Sequence, residues 1–102
     1  MERRIKLGKG LREALGSDHV YFQSPESVKM TYPAIRYSLD DIETNHADDM
    51  KYSKNRRYSV ILMDYDVDSE VVDKILTTFE YCSFDRFYVS DNLNHWVFTL
   101  FY

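Results

Sequence analysis

Three aspartates recur at every second position after the most apolar run of the chain. Asp64, Asp66 and Asp68 place three carboxylates at the exit of a predicted strand, and carboxylate oxygens are ligands for Mg²⁺ and Ca²⁺. The spacing opens like an EF-hand loop, but Ser69 and Ile75 stand where that loop needs glycine and glutamate. A two-metal nuclease needs further carboxylates that no recognisable spacing supplies. The pattern therefore favours a strand exit and a helix cap, and a small metal-dependent enzyme is the less favoured alternative.

The chain has one cysteine and three histidines, all widely spaced. Cys82 with His95 is the one nucleophile–base pair that the sequence leaves open, while His19 and His46 have no second His or Cys at metal-ligand spacing. Acidic residues flank Cys82 without a nearby cation to lower its pKa, which favours a buried or half-buried thiol. Phosphate-binding glycine loops and the common hydrolase and metalloprotease signatures are missing. We expect a non-enzymatic protein with no cofactor and no metal ion.

Basic side chains cluster at two places in a chain whose net charge is −4. Residues 1–16 carry five basic and two acidic residues, which leaves the remainder at −7. An acidic chain lacks the basic footprint that binds phosphates, so a nucleic-acid-binding module is only an alternative. The second cluster comprises Lys51, Lys54, Arg56 and Arg57. Beside Tyr52 and Tyr58 it could touch phosphate and bases, and it could equally pair with the acidic patch of another copy. Candidate residues for a contact with another copy or a partner are Lys51, Tyr52, Lys54, Arg56 and Arg57.

Length and composition indicate one domain, spanning residues 1–102. We expect no transmembrane helix, because no run of about 18 uncharged apolar residues occurs, and no secretory signal at the N-terminus. A single cysteine cannot form an internal disulfide, which favours a reducing compartment. Nine Tyr, six Phe and one Trp are more rings than a core of this size easily encloses, so some are expected at protein contacts.

Hydrophobic spacing predicts two helices. The first covers about residues 2–16, with Gly16 suited to end it and Gly8 and Gly10 each weakening it by about 1 kcal/mol relative to alanine. Its apolar face is expected to carry Ile5, Leu11, Ala14 and Leu15. The second helix follows N-cap candidates at 66–69, and its apolar face carries Val71, Val72, Ile75, Leu76 and Phe79.

Strands are predicted at residues 19–23, 34–39, 58–66, 84–90 and 93–102, with a long polar hairpin loop at about 40–57. The terminal strand has aromatic side chains on both faces, so we expect it to be covered on both sides. Contacts with another subunit or a partner are expected from Trp96, Phe98, Phe101 and Tyr102. Together these elements predict an α+β fold: a mixed or antiparallel sheet of about four to five strands, with two helices packed mainly on one face.

The C-terminal part of the chain resembles a family of phage proteins. The stretches RYSVILMDYDVDSEVVDKIL and YCSFDRFYVSDNLNHWVFTLFY, preceded by YPAIRYSLDDIETNHADDMKYSKNRRY, are similar to tail terminator, tail completion or tail-to-head joining proteins. These are encoded among the head–tail genes of phages and prophages of Gram-positive bacteria. The resemblance covers about residues 32–102 and depends on overall pattern and on the FDRFY and DNLNH stretches.

The resemblance implies a structural protein of the virion tail or neck, present in the host cytoplasm during assembly. Family members have an α+β fold and form a homo-oligomeric ring, typically a hexamer. The ring caps the head-proximal end of the tail tube, so the implied partners are the major tail tube protein and the head–tail connector. Genomic DNA is expected to pass through the lumen without sequence-specific binding, and no membrane is involved. A head–tail connector component, or neck protein, is the alternative within the same machine.

Overall fold

The structure is a computed structural model that describes residues 2–24, 29–42 and 56–102, without the side chains of residues 2 and 3. Its two helices are α1 (Glu2–Leu15) and α2 (Val71–Thr78). The five strands are β1 (Val20–Phe22), β2 (Ala34–Ile42), β3 (Arg56–Asp64), β4 (Cys82–Ser90) and β5 (Leu93–Phe101). They form one sheet in the order β1-β2-β3-β5-β4. β1 pairs parallel with β2 and the other pairs are antiparallel, so the predicted α+β fold with a mixed sheet is confirmed.

Both helices pack on the same face of the sheet, here called the helix face. Register places Ile35 opposite Leu62, and Leu62 opposite Trp96, so one row of side chains crosses three strands. Helix and strand residues form one core, in which burying each large apolar side chain stabilises the fold by about 1.5–3 kcal/mol. Its buried members are Leu7, Leu11, Ala14, Leu15, Ile35, Tyr37, Tyr58, Val60, Leu62, Ile75, Phe79, Trp96, Phe98 and Leu100.

The inner face of α1 differs from the expected one at its first turn. Ile5 is 57% exposed, whereas Leu7 is fully buried, so the assignment of Ile5 to the apolar face is wrong. The buried positions follow the spacing i, i+4, i+7 and i+8 from Leu7, which is the stripe that a 3.6-residue period lays against a core. Gly16 has φ +83° and its N–H donates to the carbonyl oxygen of Arg12 at 2.8 Å, as expected of a residue that ends a helix.

The two glycines inside α1 lie where the helix approaches the core most closely. A Cβ at Gly8 would lie 2.9 Å from the hydroxyl oxygen of Tyr37, and a Cβ at Gly10 would lie 3.0 Å from the ring of Phe79. Both distances are shorter than an ordinary van der Waals contact of about 3.5–4.0 Å. The glycines therefore lower helix propensity but let α1 approach the sheet and the end of α2.

α2 begins without the side-chain cap that the sequence suggested. Its N-cap residue is Glu70, one residue beyond the predicted candidates at 66–69, and Glu70 makes no side-chain cap hydrogen bond. Ser69 still helps the first turn, because its Oγ accepts the backbone N–H of Val71 at 3.3 Å. Ile75 and Phe79 are buried against the core, which anchors this two-turn helix.

The opposite face of the sheet, here called the helix-free face, carries a second, smaller cluster. Ala34, Met63 and Leu93 are buried there, and Tyr21, Met30, Tyr32 and Ile61 pack against them. This cluster covers one end of β2, β3 and β5 only. The predicted turn between β4 and β5 is confirmed as Asp91 and Asn92, both at positive φ (55° and 64°), a conformation that suits a two-residue hairpin.

Candidate functional site

α1 exposes a basic surface. Lys6 and Lys9 are exposed and Arg12 is half-buried beside them, and these three residues are here called the basic helix face. Arg4 serves a different purpose, because its guanidinium lies over the ring of Phe22 at 4.6 Å from the centroid, within cation–π distance. The basic helix face thus leaves at least two lysine ammonium groups directed at solvent.

The three aspartates that could hold a metal instead order the chain after β3. The carboxylate of Asp64 accepts the backbone N–H of Asp66 at 3.1 Å, and that of Asp66 accepts the N–H of Asp68 at 2.9 Å. Such bonds from an aspartate to the backbone two residues on define successive Asx turns. Among the residues that the structure describes, no three His, Cys, Asp or Glu side chains form a group able to hold a metal ion.

The same segment forms an acidic surface with apolar side chains interleaved. Asp66 and Asp68 are exposed, and Tyr65 and Val67 are 63% and 60% exposed between them. Residues 64–68 are here called the acidic loop. Exposed carboxylates next to an exposed ring and an isopropyl group form a surface that suits a basic, partly apolar partner.

The predicted basic cluster at residues 51–57 is described only in part. Lys51, Tyr52 and Lys54 lie outside the described residues, as does most of the predicted 40–57 loop. Arg57 forms ion pairs within the chain, since its Nε lies 2.9 Å from Asp40 Oδ2 and its Nη2 lies 3.6 Å from Asp41 Oδ2. The register between β2 and β3 shifts between Leu39 and Asp41. The ion pairs of Arg57 join the two strands at this shift.

Of the four aromatic residues at the C-terminal end of the described chain, two lie in the core and two lie at its edge. Trp96 is 7% exposed and Phe98 is fully buried under the helices, so both rings belong to the core of the chain itself and the expectation that they contact a partner is not met. Phe101 and Tyr102 are half-buried at the end of the strand, where the ring of Tyr102 meets Phe79 edge-on at 6.3 Å. Partner contacts from Phe101, Tyr102 and Arg56 stay a prediction.

Cys82 and His95 do not form a catalytic pair. Cys82 is opposite Leu100 and packs on the helix-face core, whereas His95 is opposite Tyr88 and belongs to the alternate set of β5 side chains. The two side chains therefore point to different faces of the sheet. Burial raises the pKa of the Cys82 thiol to about 11, which keeps it protonated and unreactive near neutral pH.

The helix-free face contains a groove that the sequence did not predict. It has a volume of about 380 Å³ and is lined by residues of three separate segments, among them Tyr32, Arg36, Tyr65, Tyr88 and His95. Tyr88 stacks on His95 with ring centroids 4.5 Å apart and planes within 10°. The period-2 pattern of β5 places His95 on this face, but no local signal brings residues 32, 36 and 65 to it.

An apolar row runs along the outer strand of the sheet. Phe84, Phe87 and Val89 on β4 are 47%, 42% and 57% exposed, although Phe84 and Phe87 contact Phe98 and Trp96 of the core at their inner sides. These three residues are here called the β4 row. The sequence identified β4 as a strand but gave no sign that it lies at the edge of the sheet.

Besides the groove, the described residues form three exposed surfaces: the basic helix face, the acidic loop and the β4 row. They belong to different elements, and two of them carry opposite charge. No helix in the described part of the chain is long and apolar enough to cross a lipid bilayer. Comparisons of the chain with protein-family models, with curated proteins and with solved structures found no match.

Proposed function

We propose that this chain is the subunit of a structural ring, a tail terminator or tail completion protein that caps the tail tube and joins it to the head connector. The resemblance of residues 32–102 to that family motivates the proposal. The observation that carries it is the presence of two oppositely charged, exposed surfaces on different elements of one subunit: the basic helix face on α1 and the acidic loop after β3.

A closed ring of identical subunits needs such a pair of surfaces. Each subunit contacts its neighbour head to tail, so one surface must be complementary to a different surface of the same chain. Lys6 and Lys9 supply positive charge, while Asp66 and Asp68 supply negative charge. Exposed Tyr65 and Val67 in the acidic loop add apolar area that charge pairing alone would lack, since exposed ion pairs contribute only about 0–1 kcal/mol each.

Native mass spectrometry and negative-stain electron microscopy test the proposal, on the protein alone and mixed with tail tube protein. The expected result is a ring, with six subunits for a tail terminator. A ring of another symmetry would favour the head–tail connector component instead. A protein that stays strictly monomeric under both conditions would overturn the proposal.

Charge reversal tests the surfaces themselves. Lys6→Glu with Lys9→Glu should abolish the ring while leaving the fold intact, because both side chains are exposed. Adding Asp68→Lys to the same chain should restore it in part, since the acidic loop then presents a positive charge to the reversed helix face; Asp66 is kept because its carboxylate accepts the N–H of Asp68. Lys74→Glu, an exposed reversal on α2, is the matched control and should leave the ring unchanged. Equal ring yield from all variants would contradict the assignment of these surfaces.

A further inference from the structure

β4 presents the most incomplete surface of the sheet. Among the residues that the structure describes, the strand pairs with β5 along one edge only, and the strand order places it last. Nine residues of edge backbone and the β4 row are therefore exposed together. An edge strand of this length with apolar side chains is a template for pairing with a further strand. The sequence of β4 indicates which strand that is.

The residue order of β4 is complementary to itself when the strand is reversed. With a two-fold axis between Asp85 and Arg86, an antiparallel pair of β4 strands places Asp85 opposite the partner subunit's Arg86, and the symmetric pair repeats that contact. Phe84 then lies opposite the partner subunit's Phe87. One step further out, Ser83 lies opposite the partner subunit's Tyr88. The two central pairs therefore join opposite charges and phenylalanine rings.

The faces of the sheet agree with this register. Phe84 and Phe87 pair with Phe98 and Trp96 of β5, so both belong to the helix face. Ser83 and Tyr88 pair with Thr99 and His95 and belong to the helix-free face. Residues directly opposite each other in an antiparallel pair share a face, and the Phe84–Phe87 and Ser83–Tyr88 pairs satisfy that condition.

The irregularity in β4 falls at the two-fold axis of this register. The register with β5 shifts between Phe84 and Arg86, which leaves Asp85 as an extra residue. A bulge of this kind twists an edge and discourages pairing with an ordinary straight strand. Two copies related by the axis beside Asp85 have their bulges opposite each other, so the number of residues stays equal on both sides.

We propose that a second copy of this chain pairs with β4 in this register, forming a two-fold dimer with a continuous ten-stranded sheet. The occupant is argued from charge complementarity at Asp85 and Arg86 and from the continuity of the sheet. A two-fold contact closes on itself and does not propagate around a ring. The dimer is therefore an association separate from the ring proposed above, and it uses a different surface.

Disulfide trapping tests the register. In a Cys82→Ser background, Ser83→Cys with Tyr88→Cys places two cysteines opposite each other across the dimer axis, within the Cα separation of about 4.4–6.8 Å that a disulfide needs. Under mild oxidation we expect nearly complete conversion to a covalent dimer, reversible by dithiothreitol. The matched control is Ser83→Cys with Ser90→Cys. Both cysteines then lie on the same face of the sheet, but in the proposed register they are two residues away from being opposite each other, so the covalent dimer should form far more slowly. Equal conversion of the two variants would overturn the register.

Charge exchange tests the same contact without oxidation. Asp85→Arg places like charges opposite each other twice per dimer and should raise the dimer Kd on the order of tenfold, measured by sedimentation equilibrium. Asp85→Arg combined with Arg86→Asp restores both pairs and should return the Kd toward that of the unaltered chain. Asp18→Arg, an exposed reversal beside β1 at the opposite edge of the sheet, should leave the Kd unchanged.

The outcomes separate this proposal from the ring. A dimer that survives the reversal of Lys6 and Lys9 but is weakened by Asp85→Arg supports the β4 contact whether or not a ring forms. An unaltered chain that is monomeric at its highest soluble concentration and gives no trapped dimer overturns it. A dimer with the same Kd in all charge variants overturns it equally, because its contact then lies elsewhere.

Discussion

Gly10→Ala should destabilise the protein although alanine is the better helix former. In an isolated helix the change would gain about 1 kcal/mol. Here the new Cβ would lie 3.0 Å from Cζ and 3.2 Å from Cε1 of Phe79, about 0.5 Å inside an ordinary contact. The ring is 8% exposed and packs edge-on against Tyr102, so it has little room to retreat.

Overpacking a buried contact costs about 1–3 kcal/mol, which outweighs the gain in helix propensity. We therefore expect the free energy of unfolding to fall by about 1 kcal/mol, corresponding to a fall in Tm of about 4–8 °C for a chain of this size. Urea unfolding followed by the fluorescence of Trp96, which is 7% exposed in the core, measures the change directly. The slope with urea concentration should not change.

A change at Phe79 should reverse the sign of the effect of Gly10→Ala on the free energy of unfolding. In a Phe79→Leu background the two ring atoms are gone, so Gly10→Ala should then stabilise the protein by about 1 kcal/mol. Lys9→Gly, at an exposed neighbouring position, is the control for helix propensity alone and should cost about 1 kcal/mol in both backgrounds. If Gly10→Ala stabilises the unaltered protein, or has the same effect in both backgrounds, the steric explanation of this glycine is refuted.

Three further measurements follow from the core, the ion pairs and the buried thiol. Leu62→Ala, at a fully buried position, should lower the free energy of urea unfolding by about 2–5 kcal/mol. Arg57→Ala should lower it by less than about 1 kcal/mol, because the side chains of Arg57 and Asp40 are 37% and 49% exposed; a loss above 2 kcal/mol would contradict that view. Because the pKa of Cys82 rises from 9.0 to about 11 on folding, the unfolded chain loses this proton first, and stability should fall as the pH rises from 9 toward 11. Circular dichroism should show a smaller fall in Cys82→Ala, with a residual fall from Tyr37, whose pKa burial also raises; an equal fall in both chains would refute the assignment to Cys82.

The fold class could be predicted because the strongest patterns are local. Alternation along residues 93–101 and the apolar spacing of α2 each depend on side chains within a few residues of one another. The buried face of the first turn of α1 was harder to predict. Ile5 and Leu7 are both apolar, and only the packing of the helix against the sheet decides which side chain is buried. Glu70 took the N-cap position without a side-chain cap, since burial of Ile75 and Phe79 stabilises α2 without one.

The surfaces could be predicted only in part, because they depend on strand order. The sequence shows Trp96 and Phe98 as rings on an alternating strand, but not that β5 lies between β3 and β4 and is buried there. The edge position of β4, which exposes the β4 row, follows from the same order. The groove on the helix-free face combines segments that are distant in the chain, so it has no signature in any one of them.

The position of β5 also governs how this sheet can be completed during synthesis. β5 is the last of the described strands in the chain, yet it separates β3 from β4 in space. A nascent chain that has released β1, β2 and β3 still displays the whole open edge of β3, whose Val60 and Leu62 are among the most deeply buried residues of the finished protein. Such an edge invites intermolecular strand pairing. That edge is paired only once residues 93–101 are available, so we expect the partly synthesised chain to be most prone to aggregation before β5 emerges.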